Sequence, residues 1–244
     1  MRLDKALSSS GFGTRTEVKA LITHGKVTVA GSIIRDPAYH ISNEDISGIS
    51  VNGESINIKD KLYLVFNKPD GVLTAMEDKR LPNVGQFIPA NLKTRKLSPV
   101  GRLDYHTTGL LIITNDGELS HRLTSPSYNI PKIYEVLYEG APLTQKEKNE
   151  ASAGITLRDK NTPVRLKPAV LEFTEHEINT ARITLTEGKT HEVRRIFAQW
   201  ERPVTALRRV ALGTICLDDK LSEGELRELT PDEVRKLKEL TGLT

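Results

Sequence analysis

The pattern of apolar and polar residues changes near Leu62 and divides the chain into two regions. In the first region, helical spacing and short alternating runs predict two helices and then two strands, over residues 2–11, 14–25, 27–29 and 32–34. The second helix opens with a capping box, because Thr14 can accept from the amide of Glu17 while the Glu17 side chain reaches back. The polar residues 44–61 are predicted to form a strand and a linker.

From Leu62 onwards, short apolar runs alternate with segments of helical periodicity. The runs predict strands over residues 62–66, 110–114, 133–139, 169–173, 181–186 and 209–217. Helices are predicted to begin near Asn83, Asp116, Thr144, His191 and Asp232. Strands and helices mixed in this order predict an α+β domain on a mostly antiparallel, mixed sheet.

Charge is distributed unevenly along the 244 residues, which carry 35 Lys and Arg against 32 Asp and Glu, a net charge of +3. Residues 1–42 hold six basic and three acidic side chains, so this small region carries the whole surplus. A solvated helix face is the ordinary explanation of such residues. Their concentration favours a surface that contacts nucleic-acid phosphates, made by Arg2, Lys5, Arg15, Lys19 and Lys26.

Composition excludes several classes of protein. A single cysteine, Cys216, cannot form an internal disulfide and fits a reducing cytoplasm. Residues 1–10 lack the apolar core of a signal peptide, and no apolar run approaches the ~18 residues of a membrane span. The spacing typical of metal ligands is absent around His106, His121, His176 and His191. We therefore expect no metal and no membrane.

A lone acid, Asp104, precedes the buried run 110–113 in the sequence GRLDYHTTGLLII. The simplest interpretation is an aspartate that caps a turn. A functional carboxylate would need a cationic partner, because burial alone would raise its pKa and neutralise it. Arg194 is a candidate partner, since it lies one residue from Val193 at the border of an apolar helical stripe.

Several motifs, taken in order, resemble those of bacterial pseudouridine synthases of the ribosomal small-subunit type. They are NKPDG at 67–71, GRLDYHTTGLLIITNDGELSHRLTSP at 101–126, KIY at 132–134, LKPAVLE at 166–172 and HEVRR at 191–195. Residues 2–29 resemble an S4 RNA-binding domain. The resemblance implies a small α/β S4 domain over 1–43, a linker over 44–60 and an α+β pseudouridine synthase catalytic domain over 61–244.

The resemblance also implies roles for individual residues. Asp104 is the catalytic carboxylate, Tyr134 lies against the target uracil, and Arg194 pairs with Asp104 and keeps it ionised. Substrate contacts are implied for Arg102, Leu185 and His191. The reaction breaks the N1–C1′ bond, turns the uracil and joins C5 to C1′, so it needs no cofactor. One carboxylate suffices, either by attack on C1′ or by removal of the 2′ proton, and the sequence leaves both routes open.

The expected activity is therefore the isomerisation of one uridine in 16S ribosomal RNA. The expected partner is 16S RNA in a small-subunit assembly intermediate, bound by a cytoplasmic monomer. Flipping the uridine out of its stack costs a few kcal/mol, which one aromatic contact of about 1–3 kcal/mol roughly offsets. Selection of the site must then come from the S4-like region. Two alternatives stay open: a uridine in 23S RNA, and a non-catalytic RNA-binding or assembly protein.

Overall fold

The computed structural model describes residues 1–42, 45–56, 61–158, 162–173 and 179–243. The chain forms two compact units, one of Met1–Leu62 with Ile88–Ser98 and the other of Tyr63–Phe87 with Pro99–Thr244. The predicted boundaries between the S4 domain, the linker and the catalytic domain fall beside undescribed residues and stay predictions. The histidine His176 also lies outside the described residues.

The first unit contains two helices and a small antiparallel sheet. Its elements are α1 (Leu3–Ser9), α2 (Arg15–Thr23), β1 (Val27–Val29), β2 (Ser32–Ile34), β3 (Ile49–Val51) and β4 (Glu54–Ser55). The sheet has the order β2-β1-β3-β4. The predicted capping box is confirmed: Thr14 accepts from the Glu17 amide, and the Glu17 carboxylate accepts from Thr14 N at 2.7 Å, which lowers the pKa of Glu17. Apolar faces of both helices are buried against the sheet.

The second unit holds the remaining strands and helices. Its strands are β5 (Tyr63–Lys68), β6 (Ser98–Pro99, at the border of the two units), β7 (Thr108–Thr114), β8 (Lys132–Tyr138), β9 (Thr156–Leu157), β10 (Val164–Arg165), β11 (Val170–Phe173), β12 (Thr180–Leu185), β13 (Val204–Leu212), β14 (Ile215–Cys216) and β15 (Leu226–Glu228). Its helices are α3 (Gly117–Thr124), α4 (Gln145–Ala153), α5 (Glu192–Gln199) and α6 (Pro231–Thr241). Short 3-10 helices cover Asp45–Gly48, Val84–Phe87, Ala90–Arg95 and Pro126–Tyr128.

The main sheet has the strand order β11-β12-β8-β13-β7-β5-β15. Its described pairs are antiparallel except β13 with β7, which are parallel, so the predicted mixed sheet is confirmed. Gly109 makes that parallel pair possible, because a Cβ at this position, where φ is +98°, would lie 2.3 Å from the carbonyl oxygen of Arg209. The backbones of β7 and β13 therefore approach closely at the start of β7.

Two sequence-based predictions in this unit are wrong. The predicted strand 209–217 is interrupted, because Gly213 adopts a φ of +59° and turns the chain from β13 into β14. No α-helix begins near Asn83; the segment forms a single 3-10 turn. The amides of Val84 and Gly85 donate to the carbonyl oxygens of Leu73 and Ala75, which ties this turn to the preceding segment.

The helices cover two apolar cores on the main sheet. Val193, Ile196 and Phe197 of α5 are buried in one core, as the helical stripe predicts. Leu119 of α3 and Leu237 of α6 are buried in the other. The helices predicted to begin near Asp116, Thr144 and Asp232 are α3, α4 and α6, and the side chains of Asp116, Thr144 and Thr230 cap them. In the part of the chain described, no helix has both the length and the apolar character needed to cross a bilayer.

Candidate active site

Asp104 lies in the loop before β7, and a buried lysine holds this loop by its main chain. Lys68 ends β5 and is fully buried. Its Nζ donates to the carbonyl oxygens of Tyr105 at 3.2 Å and Thr107 at 2.9 Å. It also donates to the carbonyl oxygen of Pro69 at 3.0 Å. Burial lowers the pKa of Lys68 from 10.5 to about 8, a shift that nearby carboxylates, Asp104 among them, oppose.

A second set of hydrogen bonds holds the same loop on the other side of Asp104. The Thr74 hydroxyl donates to the carbonyl oxygen of Leu103 at 2.7 Å and accepts from its amide at 3.1 Å. The Thr107 amide donates to the carbonyl oxygen of Asp104 at 3.1 Å and closes a turn. The backbone around Asp104 is therefore fixed from both directions, while its side chain stays about one-third exposed.

The side chain that contacts the Asp104 carboxylate is that of His191, whereas the predicted partner is Arg194. His191 Nδ1 lies 3.1 Å from Asp104 Oδ2. Arg194 instead donates through Nη2 to the carbonyl oxygen of His106 at 2.7 Å and through Nη1 to that of Val204 at 3.1 Å. Among the described residues, Arg194 and Asp104 form no ion pair, and the guanidinium donates two hydrogen bonds to main-chain oxygens. Arg194 thus contacts the Asp104 loop through its backbone.

His191 reaches Asp104 because of an unusual backbone conformation. It precedes α5 with a φ of +50° and makes no side-chain cap of that helix. Two buried carboxylates fix the preceding residues. Glu192 accepts from the Lys189 amide at 2.7 Å, and Glu187 accepts from the Lys167 amide at 2.6 Å. Burial raises the pKa of Glu192 to about 7, and the neighbouring Glu187 adds to the rise.

Two cavities share Asp104 and His191 in their walls. The smaller, of about 430 Å³, is also lined by Arg102, Tyr134 and Leu185. The larger, of about 1130 Å³, extends over β8, β12 and β13 and includes Arg194. The structure therefore brings all six predicted catalytic and substrate-binding residues to one pair of adjoining cavities. Volumes of about 300–1,000 Å³ are usual for small-ligand sites, so the smaller cavity suits one nucleoside.

The predicted RNA-contacting side chains belong to the first unit. Lys5, Arg15, Lys19 and Lys26 are exposed. Arg2 differs from them, because its guanidinium binds the Asp4 carboxylate at 2.9 Å and this hydrogen bond lowers the pKa of Asp4. Four of the five cations are thus presented to solvent without a described carboxylate partner. Within the described ranges, no group of three or more His, Cys, Asp or Glu side chains is placed to hold a metal.

Sequence reasoning missed Lys68 and Thr74. Lys68 belongs to NKPDG, one of the motifs that carry the resemblance, but no role is predicted for it, and no local pattern indicates that its side chain is buried. Thr74 stands in no motif, and its contact with Leu103 joins residues 29 positions apart. The signal that could have found Lys68 is its position at the end of a buried strand, where a lysine needs main-chain oxygens as partners.

Comparison with known proteins identifies the family to which this chain belongs. The family model described as RNA pseudouridylate synthase matches residues 62–199, and the S4 domain model matches residues 1–47. The chain belongs to the RNA pseudouridylate synthase family and is a pseudouridine synthase with an N-terminal S4 domain. A crystal structure of a pseudouridylate synthase is 35% identical, with a TM-score of 0.66, over 97% of this chain and 99% of that chain.

Curated relatives include enzymes named for either ribosomal subunit. Ribosomal small subunit pseudouridine synthase A of Haemophilus influenzae is 36% identical over 97% of this chain and 99% of its own length. Ribosomal large subunit pseudouridine synthase B of Bacillus subtilis is 33% identical over 98% of this chain and 96% of its own. The two relatives cover the same extent of the chain, so coverage does not separate the two substrate classes.

Proposed function

We propose that this enzyme converts one uridine of 16S ribosomal RNA to pseudouridine, with Asp104 as the catalytic carboxylate. The observation that carries the proposal is the position of Asp104 in the wall of both cavities, beside Tyr134 and Leu185 in the smaller. An aromatic ring and an aliphatic side chain in a cavity of nucleoside size can receive a pyrimidine that has left its stack. The partly exposed carboxylate can then reach the sugar.

The first step requires an ionised carboxylate at the ribose. Asp104 either attacks C1′, so that a glycosyl ester forms and the N1–C1′ bonding electrons remain on the uracil, or removes the 2′ proton and leaves a glycal. In both routes the uracil anion stays in the cavity, turns, and bonds to C1′ through C5. As C5 bonds to C1′, the ester bond to Asp104 breaks in the first route, and in the second route the protonated Asp104 returns its proton to C2′. The C5 proton is then lost and N1 is protonated, which regenerates the carboxylate and restores the atom count of the substrate.

The surrounding residues would have separate roles in that cycle. Tyr134 and Leu185 hold the uracil while it turns, and Arg102, which is exposed at the cavity, keeps the flipped nucleotide out of its helix. His191 contacts the carboxylate before substrate arrives and contacts the nucleotide afterwards. Arg194 holds the His106 carbonyl oxygen and so positions the loop that carries Asp104.

An Asp104→Asn variant tests the catalytic assignment. Asparagine is nearly isosteric, but it can neither act as a nucleophile nor accept a proton at neutral pH. We expect it to bind RNA as the wild type does and to form no pseudouridine. A matched control is Asp78→Asn, an exposed aspartate that caps a turn and lies outside both cavities. Normal turnover by Asp104→Asn would refute the proposal.

The choice of 16S over 23S RNA draws on the small-subunit relative and the motif at 101–126. The second candidate, a uridine in 23S RNA, is favoured by the similarity to large subunit synthase B. Mapping pseudouridines in both RNAs from cells with and without the gene separates the two. Loss of one site in 16S RNA is expected, and loss in 23S RNA alone would replace the proposal by its alternative.

The S4 region, proposed to cover residues 1–43, would supply most of the affinity for RNA. Its exposed cations Lys5, Arg15, Lys19 and Lys26 provide the sequence-independent part of that affinity. We propose action as a cytoplasmic monomer on a small-subunit assembly intermediate, in which the target uridine is still reachable. Comparing turnover on naked 16S RNA, on assembly particles and on mature subunits tests this last point.

A further inference from the structure

The larger cavity contains an arginine, Arg208, that the chemistry above does not use and that pairs with no described carboxylate. The other charged side chains described in this cavity each have a polar partner. Asp70 contacts His106 at 3.1 Å, and Glu135 binds Arg182 at 2.7 Å. Asp104 contacts His191, and Arg194 donates to two carbonyl oxygens. Arg208 lines the same cavity, and its Nε has no hydrogen-bond partner among the described residues.

Arg208 is held in place although its charge is unpaired. In β13 it lies between Thr108 of β7 and Glu135 of β8 in the sheet register. Its stem packs against Gly109, where an added Cβ would lie 3.0 Å from Arg208 Cγ. Its Nε is buried without a described hydrogen-bond partner. The neighbouring carboxylate, Glu135, is already engaged by the Nε and Nη2 of Arg182, so it does not neutralise Arg208.

We propose that Arg208 binds the phosphate of a nucleotide adjacent to the target uridine, in the part of the larger cavity that lies over β8 and β13. This inference rests on the proposed function, because the smaller cavity is then occupied by the uridine itself. The larger cavity, of about 1130 Å³, exceeds the usual range for a small ligand and leaves room for a flanking nucleotide. An uncommitted guanidinium is suited to a phosphodiester, which it can bind through two parallel hydrogen bonds.

The contact would determine how the RNA strand leaves the active site. A flipped uridine requires its two neighbouring phosphates to separate, and a fixed cation on one side stabilises that distorted backbone. Because the contact is to phosphate, it contributes affinity and orientation without reading a base. Arg208 is therefore a substrate-positioning contact, and its removal should affect the binding of the strand.

The test uses short synthetic RNAs centred on the mapped uridine, each with one phosphate replaced by a neutral methylphosphonate. With wild-type enzyme, replacement at one position beside the uridine should raise KM about tenfold, the scale of one charge-assisted hydrogen bond. Arg208→Gln should raise KM on the all-phosphate RNA by a similar factor and abolish the penalty at that position alone. Arg208→Lys, which keeps the charge, should retain part of the penalty.

A matched control is Arg235→Gln on α6, whose guanidinium binds Asp232 and Glu239 outside both cavities. It should retain the full methylphosphonate penalty and the wild-type KM. Arg208→Gln should also lower the slope of log KM against log salt by about 0.7, the value for one contact to a single strand, and the control should not. A penalty that persists in Arg208→Gln overturns the assignment of Arg208 while leaving the proposed function intact. A wild-type enzyme that modifies no uridine overturns both.

Discussion

Replacement of Lys68 by methionine tests whether a buried ammonium positions the catalytic loop. Methionine has a similar length and fits an apolar site, but it donates no hydrogen bond. Lys68 donates to the carbonyl oxygens of Pro69, Tyr105 and Thr107. The Tyr105 oxygen keeps a second donor, the Gly71 amide at 3.2 Å. The variant therefore leaves the buried Thr107 oxygen unpaired, at a cost of about 1–3 kcal/mol, and the partly buried Pro69 oxygen unpaired at a smaller cost.

An opposing contribution comes from the charge itself. Burial lowers the pKa of Lys68 from 10.5 to about 8. At about 1.4 kcal/mol per pKa unit, the ammonium costs the folded wild type about 3 kcal/mol at pH 7, and methionine removes that cost. The two contributions nearly cancel at pH 7.

Between pH 8 and 10.5 the unfolded chain binds more protons at Lys68 than the folded chain does, so the wild type regains stability as pH rises. The destabilisation by Lys68→Met should therefore grow by about 2 kcal/mol between pH 7 and 9.5.

Urea unfolding of both proteins at pH 7 and 9.5 measures this difference, since titration of other groups cancels in the comparison. Lys79→Met, at an exposed lysine, is the control and should show no pH-dependent difference. Pseudouridine formation by Lys68→Met at pH 7 should fall about a hundredfold, because a displacement of about 1 Å in a catalytic group has this effect. An equal loss of stability at both pH values would refute the charge argument, and unchanged turnover would refute the positioning argument.

Three further predictions concern residues around the site and the RNA-binding unit. Glu192→Gln should be more stable than the wild type at pH 8, and this gain in stability should be smaller at pH 5, as measured by thermal denaturation. The reason is that the raised pKa of the Glu192 carboxyl gives the wild type stability that is lost as pH rises through about 7. Gly109→Ala should lower the free energy of unfolding, measured in urea, by about 2–5 kcal/mol. The causes are the strain of alanine at a positive φ and the clash of its Cβ with the Arg209 carbonyl oxygen. An unchanged free energy of unfolding would contradict the close approach of β7 and β13. The double variant Arg15→Gln/Lys19→Gln should weaken binding to a 16S RNA fragment and reduce its salt dependence in filter binding, whereas a control Lys79→Gln should not.

Features set by neighbouring residues could be predicted from the sequence. Capping boxes at Thr14, Thr144 and Thr230 each depend on a glutamate three residues further on, and the structure contains all three. Apolar stripes likewise indicated which face of α5 is buried. Such predictions succeed because the interactions they describe lie within one turn of helix.

Features set by distant residues could not be predicted. The contact between Asp104 and His191 joins residues 87 positions apart and depends on the left-handed backbone of His191, which no sequence pattern indicated. The pairing of β15 with β5 brings Leu226 beside Phe66 and was missed for the same reason. The motif resemblance named the six residues that line the two cavities, but it did not indicate the contact between Asp104 and His191.

The cations around Asp104 bind main-chain oxygens more than they bind its carboxylate. Lys68 and Arg194 both donate to carbonyl oxygens of the loop, and the carboxylate is contacted by the exposed ring of His191. This separation matters for the proposed mechanism, in which the Asp104 carboxylate loses its charge either by forming an ester or by taking a proton. A loop held through the charge of Asp104 would loosen at that moment. A loop held through its carbonyl oxygens keeps its position, so the uracil can turn above a carboxylate that stays in place throughout the cycle.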